Sequence, residues 1–190
     1  MTVHPKLIED KTYTGIDFSV TKFPKSSYEH CTFEGCTFSN LTNQEFLECT
    51  FIACNLSNAN VTECAFKEVD FIDCKLVGVG FTTCNSFLLS FSFKGCNMSF
   101  TNFYNLPIPK TRFSDCNLTN ADFTEAKATA VHFENCILEG ATFDRTDISK
   151  ANFTTALHFT LNPATNSIKK AIFSKDNVSG LVQHHDIIIK

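Results

Sequence analysis

The sequence predicts an all-β solenoid, a chain that turns a corner every few residues and stacks its turns into a rod. Three observations carry this. Large apolar residues recur every five positions, small residues recur two positions before them, and a longer pattern returns about every 20 residues.

The five-residue series starts at Tyr13 and runs through Phe18, Phe23, Tyr28, Phe33 and Phe38. It slips across Ser39 to Glu45, resumes at Phe46 and continues by fives to Phe81. After a second slip of two residues it restarts at Leu88 and holds to Phe153, with Phe93, Phe113 and Phe133 on the way. Of the 21 phenylalanines, 16 fall on these centres, so the aromatic content belongs to one architectural position rather than to a binding surface. A helix at 100° per residue would smear this period around its circumference, and a strand would alternate faces. A coil that turns every five residues instead places the large and small residues inside and the other three outside. Cys54-Asn-Leu56, Cys74-Lys-Leu76, Cys96-Asn-Met98, Cys116-Asn-Leu118 and Cys136-Ile-Leu138 recur at spacings of 20 or 22, so four units close one coil. A fixed internal repeat of this kind governs the whole fold. It divides the chain into a lead-in (1–12), the repeat (13–158) and a C-terminal segment (159–190).

All ten cysteines, among them Cys54, Cys74, Cys96, Cys116 and Cys136, occupy the small inward slot. No C-x-x-C pair occurs, and a free cysteine in such a slot is a small hydrophobe, so reduced packing is expected rather than disulfides or zinc. Seven N-x-S/T triplets, at Asn40, Asn55, Asn60, Asn97, Asn117, Asn152 and Asn177, follow from the repeat. Charges interrupt every apolar run in residues 1–15, and no stretch approaches the length of a membrane span, so a soluble, cytoplasmic protein without glycosylation or membrane contact is expected.

Nothing in the motifs points to catalysis. There is no H-E-x-x-H, no G-x-S-x-G and no glycine-rich phosphate loop, so no catalytic residue, metal ligand or cofactor is assigned. With a net charge of −4 and no coherent basic patch, direct nucleic-acid binding is not expected either. A filled interior leaves function to the outward residues. Residues 45–75 carry Glu45, Glu48, Glu63, Glu68, Asp70 and Asp73 against Lys67 and Lys75, and these six carboxylates are the candidate partner-binding set. Glu48 and Glu68, 20 apart, should share a side, which turns basic through Lys110, Lys127 and Lys150.

Beyond Asn162-Pro163 the register is lost. Ser174 is placed to cap a short helix that sets Val178, Leu181 and Val182 on one face, followed by Ile187, Ile188 and Ile189. So short a helix must bury its stripe, either on the last coil or against a second copy. Phe173, Val178, Leu181, Val182, Ile187 and Ile189 are the candidate dimer interface.

Units such as Ala121-Asp-Phe-Thr-Glu and Ala151-Asn-Phe-Thr-Thr resemble the pentapeptide-repeat consensus: a small residue, Asp or Asn, Leu or Phe, Ser or Thr, then a variable position. The resemblance spans roughly 13–158 and implies a right-handed quadrilateral parallel β-helix of about seven coils, ~34 Å long at the usual strand spacing. The segment from Phe173 to Ile189 and the stretch 121–143 are similar to the Qnr and MfpA type, and "NPATN" resembles the microcin B immunity type. That likeness implies a C-terminal homodimer offering a DNA-like acidic rod to DNA gyrase or topoisomerase IV, protecting the enzyme from quinolone- or microcin-type inhibitors. The breaks at 39–45 and 82–87 are shorter than the projecting loops of the Qnr proteins of Gram-negative bacteria. The alternative expectation is a structural repeat scaffold for an unrelated protein partner.

Overall fold

The computed structural model describes residues 6–185 and 187. One sheet stacks β1 (Lys6–Glu9), β3 (Ser26–Glu29), β5 (Glu45–Leu47) and β7 (Ala65–Lys67) in parallel. The adjoining wall stacks seven strands: β2 (Thr12–Thr14), β4 (Thr32–Glu34), β6 (Thr50–Ile52), β8 (Val69–Ile72), β9 (Phe91–Lys94), β10 (Arg112–Ser114) and β11 (His132–Glu134). Isolated parallel bridges such as Asn55↔Lys75 and Asn102↔Asp122 hold the other two sides. The chain is therefore a parallel β-solenoid, as the period requires.

The corner explains why the period is five. Two residues after most centres the backbone takes a positive φ, as at Glu48 (51°), Glu68 (54°), Asp115 (55°) and Asn120 (58°). Such a residue reverses the chain locally and points its side chain to solvent, which Asn and Asp tolerate better than most. At Gly95 (φ 65°) a Cβ would lie 2.1 Å from Asp73 Oδ1 in the coil beneath, so any larger residue requires the Asp73 side chain to move.

Inside, like stacks on like. Phe71, Phe93, Phe113 and Phe133 occupy one column, with ring centroids 5.2 to 5.3 Å apart and planes within 9° of parallel. Neighbouring columns meet edge to face, as Phe113 and Phe123 do at 6.1 Å and 85°. Both geometries suit the quadrupole of the ring. Phe93, Phe113, Phe133 and Phe153 are all buried.

The small slot forms equally continuous columns. Cys36, Cys54, Cys74, Cys96, Cys116 and Cys136 fall one above another, and all ten cysteines are buried and free. The thiols of Cys54, Cys74, Cys96 and Cys136 donate to the carbonyls of Phe33, Phe51, Phe71 and Phe113 at 3.2 to 3.4 Å. A cysteine here fills an alanine-sized position and also reaches a carbonyl.

The N-x-S/T triplets have a similar structural cause. Asn117 Oδ1 accepts from the Thr119 N–H at 3.0 Å and from its hydroxyl at 2.7 Å. Asn60 and Thr62 repeat the arrangement, as do Asn97 with Ser99 and Asn152 with Thr154. The Asx turn closes each corner, and the hydroxyl two residues on locks it.

The two slips become one short coil and one long one. Tyr28 pairs with Phe46, 18 residues on, and Leu41 lies fully buried as the centre of the shortened wall. Phe71 pairs with Phe93, 22 residues on. There the expected centre Leu88 is not inside: it is 64% exposed, and Phe91, in the small slot, is buried in its stead. The register also extends further than the repeat pattern suggested. β1 pairs with β3, so the first coil starts within the expected lead-in, and the bridges Asp147↔Ser167 and Asn152↔Ile172 carry the last coil to Phe173.

The C-terminal helix is replaced by two short 3₁₀ turns, Val178–Leu181 and Gln183–His185. Packing on the last coil decides this. Gly180 approaches so closely that a Cβ would lie 2.4 Å from Phe159 O, and its carbonyl accepts from the Leu161 N–H at 3.0 Å. The Asn177 side-chain amide donates to Phe153 O at 2.6 Å and Ala156 O at 3.0 Å. These contacts tie the turns to the backbone at the end of the last coil.

Candidate interaction surface

Since the interior is filled, the chemistry available to a partner lies on the corners and walls. The six candidate carboxylates are divided among three places rather than gathered on one side. Glu48 and Glu68 occupy one corner in successive coils, and Asp70 lies on the adjoining wall. Together with Ser90, Lys110 and Arg112 they line an open groove of about 450 Å³. Glu45 and Glu63 face a second groove of about 580 Å³, with Lys6, Lys25 and Lys67 on its rim. Asp73 stands alone at a third corner, beneath Gly95.

Several of these carboxylates already have partners. Glu45 binds the Lys67 ammonium and accepts from Ser27 Oγ at 2.7 Å, which holds its carboxyl below the usual range. Glu48 lies 3.4 Å from His30 Nδ1, and Asp70 accepts from Ser92 Oγ at 2.5 Å. Glu68 makes no ion pair among the described residues, and neither do Lys110 and Arg112.

The sign change along the rod is retained with one refinement. Lys110 and Lys150 share the corner of Glu48 and Glu68, whereas Lys127 belongs to the neighbouring wall through its bridge to Pro107. A charged cluster that the sequence did not single out lies at another corner. Glu125 there accepts from Tyr104 Oη at 3.0 Å and from Arg145 Nε at 3.1 Å, and Arg145 also pairs with Asp144.

The apolar C-terminal set is likewise divided. Phe173 stacks on Phe153 at 5.2 Å, and both Phe173 and Leu181 pack against the core, so they close the last coil. Val178 and Ile187 are exposed and Val182 is half-buried, whereas Ile189 lies outside the described residues. Among the described residues no group of three or more His, Cys, Asp or Glu side chains converges as metal ligands would, and no helix is long and apolar enough to cross a membrane. Burial pushes the Cys49 and Cys84 thiols up to about 12, which leaves them protonated and unreactive at neutral pH.

Two family models match the chain: "Pentapeptide repeats (8 copies)" over residues 45–82 and "Pentapeptide repeat region" over residues 87–158. The gap between them falls in the 22-residue coil. No curated protein matches significantly. Among solved structures, full-length QnrB1, a plasmid-mediated fluoroquinolone resistance protein, is 18% identical with a TM-score of 0.44, the match covering 95% of this chain and 100% of that one. HetL, a pentapeptide repeat protein involved in heterocyst differentiation regulation from the cyanobacterium Nostoc sp. strain PCC 7120, is 14% identical with a TM-score of 0.43, covering 90% of this chain and 87% of that one. A pentapeptide repeat protein from the Arabidopsis thaliana thylakoid lumen is 21% identical, with a TM-score of 0.27 and 63% of each chain covered.

Proposed function

This chain belongs to the pentapeptide-repeat family, and on that premise we propose that it is a non-enzymatic, cytoplasmic interaction protein that binds a type II topoisomerase, DNA gyrase or topoisomerase IV, in place of DNA. The observation that carries the reading is the placement of Glu45, Glu48, Glu63, Glu68, Asp70 and Asp73 on the outside of successive coils of a filled rod. Glu48 and Glu68 share one corner, Glu63 and Asp73 stand at two others, and Glu45 and Asp70 lie on the two sheet walls, so the charges are spread around the rod, as phosphates are around a duplex, rather than lining one flat side. The six steps of the seven-stranded wall, at ~4.8 Å each, span roughly the length of eight base pairs. An enzyme that meets DNA chiefly through its charge can accept such a surface. The sequence resemblance of the C-terminal segment to the Qnr and MfpA type adds the remaining parts of the proposal: a homodimer through the C-terminal ends, and protection of the topoisomerase from quinolone- or microcin-type inhibitors.

The test is a gyrase supercoiling assay with purified protein, with and without a quinolone, together with direct binding to the enzyme. Binding that weakens in Glu48→Lys/Glu68→Lys, with supercoiling or drug sensitivity altered by the wild type alone, supports the reading. Absence of binding at high micromolar protein overturns it. The basic residues Lys110 and Lys150, on the same corner as the acids, favour the second reading, a scaffold for an unrelated protein partner; a pull-down with the charge-reversed variant as control would identify that partner.

A further inference from the structure

The 22-residue coil divides one edge of the rod into two halves of opposite charge. On the seven-stranded wall, Asp70 pairs with Ser92 and Ser92 with Arg112, so acid and base lie one step either side of the same serine. The corner beside that wall repeats the order. The registers Val69↔Phe91 and Phe93↔Phe113 align Glu68, Ser90 and Lys110 in three successive coils. Further out, the charged residues at this positive-φ corner are Glu48 and Asp10 on one side, with His30 between them, and Lys150 and Lys170 on the other, with Ala130 between Lys110 and Lys150. At the level of the division the two extra residues carry the most exposed aromatic side chain and its neighbour: Phe87 is 69% exposed and Leu88 is 64% exposed.

We propose that this edge is a self-association surface on which a second copy of the chain docks antiparallel, about a two-fold axis through the Ser90 and Ser92 level. A two-fold axis perpendicular to the rod reverses the direction of the second copy and keeps each wall beside its own counterpart. Glu68 then faces Lys110 of the second copy, Asp70 faces Arg112 of the second copy, and the reciprocal pairs form on the other side of the axis, as an isologous contact demands. Phe87 and Leu88 meet their own copies near the axis, which removes exposed apolar area from water. Within one chain Glu68 and Lys110 are two coils apart, ~10 Å, and among the described residues no ion pair joins Glu68 to Lys110 or Asp70 to Arg112. The charges are thus left for a partner, and the partner they complement is this same edge reversed. The surface is separate from the C-terminal segment and does not depend on topoisomerase binding.

Sedimentation velocity over a concentration series tests this. It is run in a Val178→Arg/Ile187→Arg background, which removes exposed apolar groups of the C-terminal segment. Glu68→Lys/Asp70→Lys should weaken association by about tenfold or more, and Lys110→Glu/Arg112→Glu should do the same. Combining all four substitutions exchanges the signs and should restore association, because every pair across the axis is opposite again. Salt at about 0.5 M should weaken the wild-type contact by screening it. All four side chains are exposed, so unchanged melting temperatures are expected throughout. A background protein that stays monomeric to millimolar concentration, reversals without effect, or a four-residue exchange that fails to restore association each overturns the proposal.

Discussion

Phe91 and Phe93 point their rings into the same core from a single strand, with centroids 4.9 Å apart. Phe91 occupies a slot that holds Val69 in the coil beneath and Thr111 in the coil above. It can do so because the coil from Phe81 to Phe93 has no fully buried centre of its own between them: Phe87 and Leu88 are outside and Leu89 packs only half-buried against the core, while the Phe91 ring reaches Phe66, Phe81 and Phe103 at 6.5, 5.4 and 6.4 Å. One large side chain in a small slot compensates for one missing large side chain in the neighbouring slot.

Phe91→Val, which restores the usual size of the slot, should therefore destabilise the rod by about 2 to 4 kcal/mol, since it opens a cavity that the rigid coils cannot collapse. Deleting Phe87 and Leu88 together with Ser86→Leu and Phe91→Val rebuilds a 20-residue coil with its centre in register. Denaturant melts should show most of the lost stability recovered, and no recovery would refute the compensation.

The thiol columns predict a sharp contrast in reactivity. With all ten cysteines buried and free, and burial raising Cys49 and Cys84 to about 12, the folded protein should react with almost no aromatic disulfide reagent at pH 8. The same protein in strong denaturant should titrate all ten. Rapid labelling of several thiols in the native state would contradict the inward assignment.

Asn117 should be replaceable by Asp but not by Ala. Its Oδ1 accepts two hydrogen bonds from Thr119, and each such bond contributes about 1 kcal/mol net. Asn117→Ala is expected to cost about 1 to 2 kcal/mol by thermal denaturation, while Asn117→Asp retains both acceptor contacts and should stay within a few tenths of wild type.

Asp147 carries an acid-side dependence of stability. Hydrogen bonds from Ser149, side chain and backbone, together with one from Thr129, hold its carboxyl below the ordinary aspartate value against a smaller opposing effect of burial. A depressed value in the folded state means that the contribution is fully present above the unfolded aspartate pKa, ~3.9, and is lost as pH falls through the folded one. Asp147→Asn keeps an acceptor for Ser149 but cannot titrate. Its melting temperature should fall less than that of wild type between pH 5 and pH 3, and parallel curves would rule out this source.

Leu181→Arg would not isolate a dimer contact, because Leu181 packs against the core of its own chain. Val178→Arg, at an exposed position, should instead leave the melting temperature unchanged while lowering association through the C-terminal end. A folded Val178→Arg protein that still associates through that end would place the contact elsewhere.

The sequence by itself determined the inside of this protein. The centres at every fifth residue, such as Phe93, Phe113, Phe133 and Phe153, could be read as inward, and Cys54, Cys74, Cys96, Cys116 and Cys136 as recurring once per coil, because a thin core imposes the same volume at the same step in every coil. A constraint repeated that often leaves its period in the residues. What faces outward is under no such constraint. Glu45, Glu48, Glu63, Glu68, Asp70 and Asp73 read as one acidic stretch, yet only the tertiary structure divided them among three corners and two walls, because each position depends on the accumulated turn of the chain, including the 18- and 22-residue coils. The exposure of Leu88 and the burial of Phe91 were settled in the same way, by which side chain could reach the vacancy between Phe66 and Phe103. At the C-terminal end, a local pattern suited to a helix gave way to 3₁₀ turns because Gly180 and Asn177 met the open carbonyls and the Phe159 ring of the last coil. That surface exists only once the coils beneath it have stacked.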